Sequence, residues 1–235
     1  MTQFNRPPWA ALIDVKTASG VIDAISKPRL GAYGISGLDP GDEIAVVARH
    51  GRNIVVSESL YPLLHLLELV IRNRVHDVFR LHFGSDEWFR QGWVDELEHR
   101  HITKAELNLA RQRKPLAPDD IVAAVTFGFW VGLFNRRYEP RNSNQPWPRL
   151  LKAVVPWAPR YARTRDTLQR RIEKARHVRN RVFHHEPIAH WHDLGTTYTE
   201  LVELLGWFSP EAREHLGHLC RFTSVWADNL VPTSD

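Results

Sequence analysis

Residues 57–79 read SESLYPLLHLLELVIRNRVHDVF. From Leu60 onward, apolar side chains fall at 60, 63, 64, 67, 70, 71, 75, 78 and 79. This is the three-and-four spacing that paints one stripe along an α-helix. Ser57 or Ser59 can cap its start, and Gly84 can end it. The stretch sets the pattern for the rest of the chain.

Downstream, DEWFRQGWVDELEH (86–99) reads as a shorter helix, and TKAE (103–106) is a capping box expected to open another, stopped by Pro115. PDDIVAAVTFGFWVGLFNRR (118–137) carries proline and two aspartates in its first turn and arginines in its last, matching the helix dipole. It is apolar all round, so it is expected at the centre of a bundle with Trp130 buried. RYEPRNSNQPWPR (137–149) reads as a loop. A basic helix should run from about Thr164 to His184, stopped by Pro187, and SPEARE (209–214) restarts with a serine cap and a proline at the first position. Upstream, only IVVS (54–57) keeps a strand-like alternation, and KPRLGAYGISGLDPG (27–41) reads as irregular. The pattern predicts an all-α helical bundle. Residues 1–26 are expected to cover it, 27–230 to form one domain, and 231–235 to be a flexible tail.

The chain has 235 residues, 43% of them hydrophobic, enough for a substantial core. The longest continuous apolar run, Ile121 to Phe134, is roughly 14 residues, short of a membrane span. The N-terminus MTQFNRPPWAALID has no basic-then-apolar signal pattern. Cys220 is the one cysteine, which excludes an intramolecular disulfide framework and any multi-thiolate metal site. A reducing cytoplasm fits, without membrane attachment and without a cofactor.

The net charge of +4 is unevenly placed: between Arg160 and Arg181 nine Arg/Lys stand against two acids. Arginine dominates, and its planar fork grips phosphate in two places. Within this run, Arg171, Lys174, Arg176 and Arg181 are candidates to contact RNA, against the plainer reading of a solvated helix face. The tetrapeptide RNRV, at 72–75 in the opening stretch, recurs here at 179–182. In the second copy, RNRVFHH, Arg179 and His184 are five residues apart, roughly 140° on an ideal helix. An arginine can stabilise charge developing on phosphorus oxygens. An imidazole can give or take a proton near neutral pH. RNA then needs no metal, because its own 2′-hydroxyl is the nucleophile.

The segment HVRNRVFHHEPI (177–188) resembles the signature of HEPN-type RNases: an arginine, a polar residue, then a histidine four to six positions on. The wider layout, KPRLGAYGISGLDPGDEIAVVARHGRNIVVSESLY running into LLHLLELVIRN and ending in RNRVFHH, resembles the Abi-like (abortive infection) family over roughly residues 27–207. The resemblance implies a HEPN-like bundle with additional helices. It also implies a metal-independent endoribonuclease of phage defence or toxin type, pairing as a homodimer, with an antitoxin protein as a candidate partner. On that basis Arg179 and His184 match the catalytic arginine and histidine, Asn180 matches the positioning residue, and His185 competes with His184 for the proton. Some HEPN toxins have a tyrosine, two residues after the histidine, that an antitoxin modifies. Glu186 stands there in this chain.

The first RNRV differs. Glu68 and Arg72 are spaced to share one helix face, and with Asn73 they are candidates for a supporting polar seam beside the Arg179 helix. His76 follows Arg72 by four residues, so the catalytic spacing is not duplicated. HHEPIAHWH (184–192) suggests a metal, but HEPIAH has one residue too many for a zinc-binding H-E-x-x-H, and a proline breaks the helix. The competing class is a non-catalytic RNA-binding or protein-interaction module, with Trp157, Tyr161 and Trp191 offering stacking surfaces.

Overall fold

The computed structural model describes residues 13–34, 42–138 and 146–230. All regular elements among them are helical. The helices are α1 (Val15–Ile25), α2 (Lys27–Leu30), α3 (Asp42–Phe83), α4 (Glu96–Arg111), α5 (Pro118–Ala124), α6 (Phe127–Gly132), α7 (Trp147–Val154), α8 (Arg165–Phe183), α9 (Leu194–Phe208), α10 (Pro210–Leu219) and α11 (Phe222–Leu230). The chain divides into two compact units. One comprises residues 1–62, 179–198 and 219–235; the other comprises 63–178 and 199–218. Of the expected N-terminal cover, 1–12 lie outside the described residues, as do 35–41 of the irregular stretch, 139–145 of the loop and the 231–235 tail.

In the first unit, Asp14 caps α1 by accepting the Thr17 N–H at 2.7 Å. Ala18 and Ile22 of α1 pack with Leu30, Tyr33, Val46 and Val47 into an apolar cluster. Near the C-terminus Tyr198 stacks on Phe222 at 4.3 Å and Phe222 on Trp226 at 5.7 Å. Cys220 is half-buried here: its thiol donates to the Ser59 carbonyl at 3.3 Å and its sulfur receives the Tyr198 hydroxyl at 3.5 Å.

The second unit has an aromatic core. Phe79 meets Trp88, Trp93 and Trp147 at centroid distances of 5.0, 5.1 and 5.2 Å. Trp130 is fully buried beside them. Glu98 is a charged residue sunk in this apolar setting, only 2% exposed. Its carboxylate accepts the Tyr138 hydroxyl at 2.6 Å and the Arg137 guanidinium at 2.5 Å. The Tyr138 oxygen in turn accepts the Asp95 N–H at 2.8 Å. Burial, then the Glu98 hydrogen bond, pushes the Tyr138 hydroxyl far above its ordinary titration range. Opposite Glu98 sits Gly132, where any Cβ would collide with the Glu98 carboxylate.

Several expected boundaries move. IVVS is helical, because α3 begins at Asp42 and runs unbroken to Phe83 with Pro62 inside it. Its buried side chains Val46, Val47, Ala48, Asn53 and Val56 outweigh the low helix propensity of β-branched residues. Residues 86–99 form a single 3₁₀ turn at Trp88–Arg90 and then the start of α4. The capping residue of α4 is Asp95, whose side chain accepts the Leu97 N–H, and TKAE lies inside the helix. Thr103 there donates back to the His99 carbonyl, one turn earlier.

The expected helix 118–137 is two helices. Val125 and Thr126 are extended (ψ 143° and 160°) and break it. Both are β-branched, and the Thr126 hydroxyl is bonded to the His101 ring at 3.1 Å. The basic helix falls within one residue of expectation, and Ser209 caps α10 by accepting the Ala212 N–H at 3.0 Å. Although no uninterrupted apolar run is long, α3 is long and apolar enough to cross a membrane by length and composition. Much of its apolar stripe is packed inside the protein, with Leu60, Leu63, Leu64, Leu67 and Ile71 all at most 2% exposed.

Candidate functional site

The C-terminal end of α8 carries Arg179, Asn180, His184 and His185 in the first unit. The helix ends in a Schellman turn. His185 N–H bonds the Val182 carbonyl at 3.1 Å, and Glu186 N–H bonds the Arg181 carbonyl at 2.9 Å. That motif demands a left-handed residue between them, a place glycine usually takes. Here it is His185, at φ +59°. A side chain in this conformation costs roughly 1–2 kcal/mol. His184 N–H closes the last helical bond to Asn180 O at 2.9 Å, so His184 keeps its helical bearing. Both imidazoles are exposed.

Arg179 is half-buried, and its guanidinium lies over the Phe183 ring, 4.5 Å from the centroid. The contact joins residues one turn apart and directs the arginine head toward the C-terminal end of the helix. Phe183 in turn lies against Tyr61, 5.9 Å between centroids. Arg181 pairs with Glu186 at 2.6 Å, tying the helix to the segment after it.

That segment is held by Asn53 of α3, only 4% exposed. The Asn53 amide oxygen accepts the Ile188 and Ala189 N–H groups at 2.7 and 3.1 Å, and its NH₂ donates to the Glu186 carbonyl at 3.3 Å. One side chain thus supplies three partners for a backbone that has left its helix. Beside it opens a groove of about 330 Å³, lined by His50, Asn53, Ile54, Ser57, Glu58, Tyr61, Val182, Phe183 and His185. His185 is on the groove wall; His184 is not among the lining residues. Burial pushes the His50 imidazole below its ordinary pKa, favouring its neutral form.

Glu68, Arg72 and Asn73 belong to the second unit, where Arg72 Nε donates to Asn73 Oδ1 at 3.0 Å. In the same RNRV copy, Arg74 donates to the Ala153 carbonyl at 3.1 Å and lies over Trp157. Of the four proposed RNA contacts, Arg171 pairs with Glu200 and Glu203 at 3.5 and 3.2 Å. Lys174 pairs with Glu200 at 2.6 Å, Arg176 with Glu173, and Arg181 with Glu186. The Lys174 hydrogen bond is the main cause holding the Glu200 carboxylate below its usual pKa. Each of these four cations therefore has an acid close in space. Among the described residues no group of three His, Cys, Asp or Glu side chains is placed to hold a metal ion, the 184–192 histidines included.

No protein-family model, curated protein or solved structure matches this chain. The site therefore stands on its own geometry.

Sequence reasoning missed His50 and Asn53. The signal was present: 50, 53, 54, 57, 58 and 61 follow helical spacing and place His, Asn, Ser, Glu and Tyr on one face. Reading 54–57 as strand-like broke that series.

Proposed function

We propose that this chain is a metal-independent endoribonuclease of HEPN-like, Abi-like type, acting in the cytoplasm in phage defence or as a toxin. One observation carries the reading: an arginine and two exposed imidazoles are gathered within seven residues at an open helix end, beside a groove. Arg179 would stabilise charge building on the phosphorus oxygens, and Asn180 would position the linkage. His184 would carry the proton, with His185 its rival because of its place on the groove wall. The four α8 cations would contact the RNA backbone. Ion pairs at half-exposed positions are worth about 0–1 kcal/mol, so phosphate can displace their carboxylate partners.

The same geometry supports a homodimer. Arg179 and His184 diverge by about 140° around α8, which does not focus both on one phosphate within a single chain. Two copies of the helix end facing each other would complete two such pairs across a twofold axis.

The test is cleavage of a mixed RNA substrate in excess EDTA, followed by analysis of the product ends. Cleavage leaving 2′,3′-cyclic phosphate is expected, with Arg179→Ala and His184→Ala each reducing the rate at least a hundredfold and dilution below the dimer range abolishing it. His185→Ala separates the two imidazoles. A chain that binds RNA unchanged in affinity and cuts nothing is a binding module; one silenced by EDTA is a metalloenzyme. Either result removes the proposal.

A further inference from the structure

A second cavity, of about 460 Å³, lies in the first unit and is lined by Ala32, Tyr33, Gly34, Arg49, Arg52, Asn53, Pro187, Ala189 and His190. This volume is within the range of small-molecule sites. Two features set it apart from the groove beside His185. Its lining carries two guanidiniums, and no described lining residue is acidic. Arg49 and Arg52 are one turn apart on α3 and so project from the same face.

The cradle around Arg49 is built, not incidental. Its Nε donates to the Tyr33 carbonyl at 2.8 Å, fixing the side chain across the turn that follows α2. Gly34 closes that turn at φ +89°, and a Cβ there would lie 3.2 Å from Arg49 Nη2. The glycine is needed both for its left-handed backbone and for the room its bare Cα leaves the guanidinium. Arg52 is 9% exposed and is held by interactions of its own. The Tyr33 hydroxyl is itself sealed away, so Tyr33 serves the cavity through its ring and the turn its carbonyl anchors.

We propose that this cavity binds the phosphomonoester of a nucleotide-sized ligand, gripped by Arg49 and Arg52. A carboxylate offers two oxygens and a single charge. A phosphomonoester offers three oxygens and a charge of about −1.5 to −2, matching two guanidiniums. Ala32, Pro187, Ala189 and the Tyr33 ring leave an apolar wall for the body of the ligand. The site is independent of the nuclease reading, since none of the proposed catalytic residues lines it.

Titration calorimetry on the full chain tests this with AMP, adenosine, inorganic phosphate, and a trinucleotide with either a 5′-phosphate or a 5′-hydroxyl. Saturable binding of AMP and not of adenosine is expected. Arg49→Gln should weaken it at least tenfold while melting near the wild-type temperature. Arg49→Lys, which keeps the charge and loses the planar fork, is the added variant if Arg49→Gln melts early, and it too should weaken binding. If the 5′-phosphorylated trinucleotide binds and its 5′-hydroxyl counterpart does not, the ligand is an RNA end; if AMP alone binds, it is a free nucleotide. No saturable heat with any phosphorylated probe, or unaltered affinity in all folded variants, overturns the proposal.

Discussion

Glu98 and Asn53 are both polar residues sunk among apolar neighbours, and they have opposite surroundings. Glu98 is enclosed by Arg137, Tyr138 and Gly132. Asn53 also spends its amide on internal partners, yet it lines the two cavities described above. A buried polar group whose neighbours close around it is a device for stability. One that organises backbone at the edge of open space is a device for building a site.

Substitutions that attack each residue should separate these roles. The largest effect is expected from Gly132→Ala or Glu98→Ala. The first drives a methyl into the carboxylate, and the second leaves the Arg137 charge and the Tyr138 hydroxyl facing an unfilled space. Losses of about 3–5 kcal/mol are expected, read as early melting in thermal or urea unfolding. Asn53→Ala strands the Ile188 and Ala189 N–H groups and should cost about 2–3 kcal/mol. It should also disturb RNA cleavage and AMP binding together, because 186–189 lose their support. If its damage is confined to stability, the contrast with Glu98 collapses.

Acid offers a third probe. The second unit's His76 is buried, and its Nδ1 accepts the Trp88 indole N–H at 3.0 Å. Burial is the largest cause depressing its pKa, as it is for His50. The unfolded chain therefore takes up these protons more readily than the folded one. Stability should be complete above about pH 6.5 and decline as pH falls below it toward the depressed folded values. Melting temperatures across pH 5–8 check this, and His76→Asn should flatten part of the slope. The smallest effect is a gain. His185→Gly relieves the left-handed turn and should stabilise by about 1 kcal/mol while removing an imidazole from the groove. A more stable but inactive protein would mark His185 as kept for chemistry; a more stable, fully active one would return the proton to His184.

The sequence displayed the helical architecture clearly where long stripes dominate, as in Leu60–Phe79 and along α8, because burial of one face enforces the period. It misled where local chemistry and tertiary packing disagree. The threonine and glutamate of TKAE satisfy the rule for a helix start but sit inside a helix already capped by Asp95. The apolar run after Pro118 hides a break at Val125, since composition records burial and not backbone direction. For the site, the α8 motif was visible as a local string of residues. Asn53 was not, because its bonds to Glu186, Ile188 and Ala189 span more than 130 residues of chain. The neutralisation of Arg171 and Lys174 by Glu200 was equally invisible, as the acids arrive from another helix.

Cys220 gives the molecule a clock. As the sole thiol in the chain, half-buried and bonded to the Ser59 carbonyl and the Tyr198 hydroxyl, it reacts faster with an alkylating reagent whenever that corner opens. The rate of its modification, followed by mass, times the breathing of the protein at a single atom without any engineered label.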